Sequence, residues 1–281
     1  MTNELPPAPS ESNPGPPPIP PHIARWRWWI HLVLVGAYPI MGLLFRLSSW
    51  AGGRGPAMSG NVRGLLMVSG TELVFFALFF AAAWLVSRAS REQLLFPWRP
   101  GWWVIPLGIG YSIALRLALL VVVGAVIVIL TATRAATPEK VQEFVTANRP
   151  AVENLVSVSA MRSNPTYFWL MVTFVSFVVA GVREEVWRAG TLAAMRALWP
   201  SAFDSRGGQC LAIALIAVVF GLMHLRMGAL AAVIAGILGL LLGIIMVLHR
   251  SIWPAVIAHG VFDATNLALL PWWIEKVQHL R

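Results

Sequence analysis

Long apolar runs separated by short polar connections set the layout of this chain. Residues 28–50, 64–86, 102–131, 167–182 continuing towards 199, 209–225, 228–248 and 252–274 are apolar. Their lengths reach or approach the ~20 residues that a helix needs to cross ~30 Å of hydrocarbon. The pattern predicts an all-α fold: a polytopic transmembrane helix bundle with seven to eight membrane-spanning helices. The eighth arises if 167–199 is split where Gly181 and Gly190 bracket a cluster of charges, and Pro200 marks the stop of that run. The run 102–131 would reach ~45 Å if wholly helical, so it is tilted, broken or protruding.

The polar segments divide the chain. Residues 1–21 hold nine prolines and no sustained apolar run, so they are expected to stay extended or disordered. They lack the basic-then-apolar order of a signal peptide. A tail, 1–25, thus precedes a membrane domain, 26–281. The long connection 133–165 contains ATPEKVQEFVTANRP, in which Thr137 is placed as an N-cap and Pro138 at the first helical position. With Val141, Phe144 and Val145 on one face, it predicts a short interfacial helix, either resting on headgroups or guiding a substrate. No internal repeat is visible, so the inverted-repeat signature of transporters gains no support.

Composition agrees with a membrane protein: 58% of the 281 residues are hydrophobic and 12% charged, where soluble domains carry about a quarter charged residues. The formal net charge of +9 comes from arginines scattered over connections and helix ends. It lacks the clustered basic face of a nucleic-acid partner and suits membrane lipids as partners instead. Basic residues are spread over both sets of connections, so charge assigns no orientation. A single cysteine, Cys210, excludes an internal disulfide and a thiolate metal cluster.

Against that background the stretch FVVAGVREEVWRAGTL, 177–192, places Arg183, Glu184, Glu185 and Arg188 next to a strongly apolar run. A charge at the bilayer centre costs roughly 2.5–3.5 kcal/mol on insertion scales, so the cluster requires a reason. On a helix, Glu184 and Arg188 are four apart with the acid first, and Glu185 reaches Arg188 at three apart. One arginine then holds one carboxylate and leaves the other available. FGLMH places Phe220 and His224 four apart, and HGVFD places His259 and Asp263 four apart. Each of these motifs alone also fits a packing or interfacial role. Together they put an acid or a histidine on three successive apolar segments, which is a functional site by default in a membrane. Carboxylates and imidazoles are what water-activated hydrolysis asks for: a base for the water proton and donors for the developing oxyanion.

Motifs of the form Glu-Glu-x3-Arg, Phe-x3-His and His-x3-Asn/Asp, in this order on successive helices, resemble the CPBP family. These are the CAAX protease and bacteriocin-processing intramembrane endopeptidases, also called ABI. The resemblance covers about 180–269, within a catalytic core at about 166–274, and includes SIWPAVIAHG before the third motif. It implies an intramembrane peptidase acting on a membrane-associated or lipid-modified peptide or protein, in an integral membrane protein of a bacterial inner membrane. Glu184 would be the base that activates water, assisted by His224. His259 and Asp263 would support the oxyanion or orient the scissile carbonyl, and Glu185 with Arg188 would be the supporting acid and its partner. No cofactor is established by this. By ligand type, Glu184, His224 and His259 also suit zinc or another divalent metal.

Two departures stand out. Arg188 follows the first glutamate by four residues where the family usually has five, so alignment on Arg188 would put Arg183 at the acid position. Arginine cannot act as a base, which keeps Glu184 there. The third motif ends in Asp263 rather than asparagine, and an ionised aspartate would repel an oxyanion unless protonated or acting through His259. A competing class is a non-catalytic immunity or binding protein of the same fold, and another is a proton-linked transporter. Glu72 and Arg116 are expected to pair with each other, or Arg116 to snorkel. His224 and His259 meet only if the turn at 226–228 dips or the joining helix tilts strongly.

Overall fold

The structure, a computed structural model, describes residues 24–51 and 59–279. The expectation for residues 1–21 falls outside them. Among the described residues every regular element is helical. The long helices follow the apolar runs: α1 Arg25–Ala51, α2 Val62–Ser87 and α3 Val104–Ala132 come first. Then α4 Pro138–Ala147 and α5 Val158–Ser163 lie in the polar connection. The fourth run is α6 Pro165–Leu170, a π-helical stretch Met171–Val182 and α7 Arg183–Leu198. After the short α8 Pro200–Phe203 come α9 Arg206–Leu222, α10 Ala229–His249 and α11 Trp253–His279.

Among the described residues, four helical stretches are long and apolar enough to cross a bilayer: Val62–Ser87, Gly101–Ala132, Pro165–Leu198 and Ala229–His249. They make the chain an integral membrane protein, in which the exposed apolar side chains of α2 and α3 face lipid rather than water. The fourth run is one continuous helical stretch, so the charges at 183–188 do not split it into two crossings. Trp199 ends it, and Pro200 opens the next short turn. In α3 the buried residues are Val104, Gly108, Ser112 and Leu115, all in its first half. The second half exposes Leu120, Val121, Val128 and Ile129.

Local signals hold where they were legible. Thr137 caps α4 by accepting from the Lys140 backbone N–H, with Pro138 at the first position. Phe144 on that helix stays 58% exposed, as an apolar face for an interface requires. Ser251 fixes the entry of α11: its hydroxyl donates to the Pro97 carbonyl at 2.7 Å and accepts from the Trp253 N–H at 3.3 Å.

At the centre stands α7, buried along nearly its whole length, with Trp187 donating to the Val35 carbonyl of α1 at 3.1 Å. Around it α9, α10 and α11 close the core through Ile213, Phe220, Leu242, Met246 and Val256. Small residues permit the closest approaches, which is how helices gain packing energy where lipid is as apolar as protein. A Cβ on Gly221 of α9 would lie 2.6 Å from the Ala232 carbonyl of α10. One on Gly260 of α11 would lie 2.3 Å from the ring of Phe177 in the π-helical stretch.

Candidate active site

The site begins in the π-helical stretch. Its hydrogen bonds run five residues back, and the Ser176 hydroxyl donates to the Met171 carbonyl at 3.0 Å in the same sense. Residues four apart stay within about 40° of one another around the axis, in an α-helix as in the wider π turn. Met171, Val175, Val179 and Arg183 therefore line one cavity together, and so do Ser176, Ala180 and Glu184. Arg183 and Glu184 arrive at the cavity side by side, at the first turn of α7.

The cavity has a volume of about 260 Å³ and is mostly apolar. Its ionisable lining residues are Glu72, Arg183, Glu184, His224, Arg226, His259 and Asp263. The three motifs of the sequence thus converge: Glu184 from the first, His224 from the second, His259 and Asp263 from the third. Glu185 and Arg188 do not line it. They stand behind it, paired with each other, with no exposed surface on either side chain.

The imidazole of His259 is the hub. Its Nδ1 lies 3.2 Å from Oε1 of Glu185. On the other side Nε2 lies 3.5 Å from Oδ2 of Asp263 and 3.8 Å from Oε2 of Glu184. A carboxylate only accepts, so a ring meeting carboxylates at both nitrogens is set to donate from both. The two Nε2 distances exceed the 2.7–3.2 Å of a direct hydrogen bond, which leaves this nitrogen uncommitted to either acid. Glu185 is itself held by Arg188, whose guanidinium lies 5.0 Å above the ring of Phe220.

The second histidine is oriented by its own helix. Nδ1 of His224 donates to the Phe220 carbonyl at 2.8 Å, which leaves Nε2 as the lone-pair nitrogen of the neutral ring. Phe220 also joins the two histidines, its ring centroid 4.7 Å from that of His224 and 6.3 Å from that of His259. The chain leaves α9 at Leu222 and reverses through the turn Leu225–Met227, with Gly228 at φ +106°. That reversal brings His224 to the cavity of His259. The turn is fastened from outside: the Ala151 N–H donates to the Met227 carbonyl at 2.9 Å, and the Asn154 amide to that of Arg226 at 3.2 Å.

Of the two carboxylates that the spacing left open to Arg188, it takes Glu185, while Oε1 of Glu184 accepts from Nη2 of Arg183 at 2.9 Å. Glu72 and Arg116 do not pair with each other. Glu72 from α2 lines the cavity and meets Nη1 of Arg183 at 2.7 Å. Arg116 from α3 donates to the Phe262 carbonyl at 3.0 Å and stacks over its ring, next to Asp263 in the chain. Sequence reasoning gave both a peripheral role; a charge inside an apolar run was the available signal.

Among the described residues no three His, Cys, Asp or Glu side chains are grouped to hold a metal ion. Glu184, His224 and His259 share the cavity without being grouped as the ligands of one ion.

No curated protein and no solved structure matches the chain. Residues 165–265, a little over a third of the chain's length and the segment that carries all three motifs, match the model of the family described as type II CAAX prenyl endopeptidase Rce1-like, so that this segment is similar to the CPBP family.

Proposed function

We propose that this protein is an intramembrane endopeptidase that hydrolyses a peptide bond of a membrane-associated or lipid-modified polypeptide with water activated by Glu184. The observation that carries this reading is the disposition around His259: a ring held at Nδ1 by Glu185, with an uncommitted Nε2 within 4 Å of a Glu184 oxygen, facing one largely apolar cavity.

Water between Oε2 of Glu184 and Nε2 of His224 gives up a proton to the carboxylate, and the hydroxide attacks the scissile carbonyl. The C=O bond becomes C–O⁻, which Nε2–H of His259 stabilises as donor. Collapse of this intermediate breaks the C–N bond, and the proton held by Glu184 passes to the departing amine. Glu185 fixes the His259 ring, and Arg188 fixes Glu185. An apolar cavity serves this chemistry twice, by accepting an apolar peptide segment and by strengthening each electrostatic contact made in it. In the same proposal α1, α9 and α11 also cross the membrane, giving seven crossings, in a bacterial inner membrane, with lipid as the surrounding partner and no resident cofactor.

The test is cleavage of an internally quenched, farnesylated peptide with a CAAX C-terminus by the purified protein in proteoliposomes. Cleavage is expected from the parent and is expected to vanish in Glu184→Gln, which keeps shape and removes the base. Undiminished cleavage by that variant, at equal folded protein, rejects the mechanism. A parent that binds the peptide without cleaving it favours a non-catalytic binding protein.

A further inference from the structure

Glu184 has two carboxylate oxygens, and only one of them faces the reacting region. Oε1 is taken by Nη2 of Arg183 at 2.9 Å, whereas Oε2 is the atom 3.8 Å from Nε2 of His259. Which oxygen meets water is thus set by a neighbouring guanidinium. That contact is not a default of helix geometry, since residues one apart lie about 100° apart around the axis and do not face each other. Arg183 must be pulled across to make it.

The pull comes from outside the family-matched segment 165–265. Nη1 of Arg183 donates to Oε2 of Glu72 in α2 at 2.7 Å and to the phenol oxygen of Tyr38 in α1 at 3.1 Å. Only 7% of the Arg183 side chain is exposed, against 30% for Glu72 and 17% for Glu184. The fork of one guanidinium is therefore shared between two carboxylates that come from different helices. A fork can do this with fixed geometry and a single ammonium cannot. Glu72 also lines the cavity, on an otherwise apolar helix where an unneeded carboxylate is costly.

We propose that Arg183, anchored by Glu72, is a positioning residue that orients the Glu184 carboxylate, so that α1 and α2 complete the active site. This rests on Glu184 acting as the base. The bland alternative is an ion pair that only ties α2 to α7. The two differ in what they change: a tie sets stability, whereas an orienting contact sets turnover, because a displacement of about 1 Å at a reacting group costs up to roughly a hundredfold.

The test uses the full chain in proteoliposomes with the farnesylated, internally quenched CAAX peptide, and reports kcat per folded enzyme alongside KM. Arg183→Lys and Glu72→Gln are the gentle variants, and Arg183→Gln and Glu72→Ala the severe ones. We expect kcat to fall about tenfold or more in Arg183→Lys and about three- to tenfold in Glu72→Gln, with KM within twofold of the parent. Because Glu72 acts through Arg183, adding Glu72→Gln to Arg183→Lys should lower kcat by less than twofold further. Should the severe variants fail to fold, the two gentle ones still decide. Normal kcat in both, with or without a loss of thermal stability, overturns the proposal, as does a double variant in which the two losses multiply. If Glu184→Gln itself retains turnover, or the parent has none, the assignment of the base fails and this inference with it. An inactive Glu184→Gln beside fully active Arg183→Lys and Glu72→Gln overturns the inference alone.

Discussion

Arg188 and Glu185 form an ion pair three residues apart on α7 with no exposed surface on either side chain. Glu185 turns its other oxygen to Nδ1 of His259 at 3.2 Å, and Arg188 lies over Phe220, the ring that also contacts both site histidines. The pair therefore underlies the imidazole of His259. Removing one partner of such a pair leaves a buried charge uncompensated, at about 3–5 kcal/mol. Arg188→Ala is expected to lose that much stability, read as a large fall in the thermal unfolding midpoint in detergent; an unchanged midpoint would mean that the charge has found other compensation.

Asp263 faces the same His259 from the cavity side at 3.5 Å. Its asparagine variant keeps the acceptor oxygen towards the ring and removes a negative charge from beside the developing oxyanion. Asp263→Asn should therefore turn over at least as fast as the parent, while Asp263→Ala, which loses the contact, should fall about 10- to 100-fold in kcat. An Asp263→Asn protein as slow as the alanine variant would show that the charge itself is needed.

Since the three side chains of suitable type are not grouped as ligands, treatment with EDTA or 1,10-phenanthroline is expected to leave turnover within twofold of the untreated enzyme. Loss of activity that added zinc restores would require the site to rearrange around an ion.

Packing at the base of the site is equally testable. The ring of Phe177 occupies the place of a side chain at Gly260, next to His259. Gly260→Ala should destabilise by about 1–3 kcal/mol through forced displacement of that ring. Gly124→Ala in α3 meets nothing within 4 Å and should be neutral or stabilising by up to about 1 kcal/mol. Equal midpoints for the two variants in detergent would show that the ring yields freely.

The helices and the three motifs were legible because each rests on local signals. Apolar length gave the runs, and a spacing of four placed His259 with Asp263 and His224 over Phe220. Thr137 with Pro138 marked a helix start that the structure keeps. The partners of Arg183, Glu72 and Arg116 were not legible, because they depend on which helices lie side by side. A further obstacle is physical: a continuous helix through four charges looks broken in sequence, since nothing local reveals that Glu72 from α2 compensates one of those charges.

The polar connection 133–165 has a mechanical consequence. Ala151 and Asn154 grip the backbone immediately beyond His224, and α4 with its bare Phe144 lies a few residues upstream of them. Two hydrogen bonds therefore join the small helix and its connection to the turn that carries His224, so a shift of that connection is passed directly to the histidine's backbone.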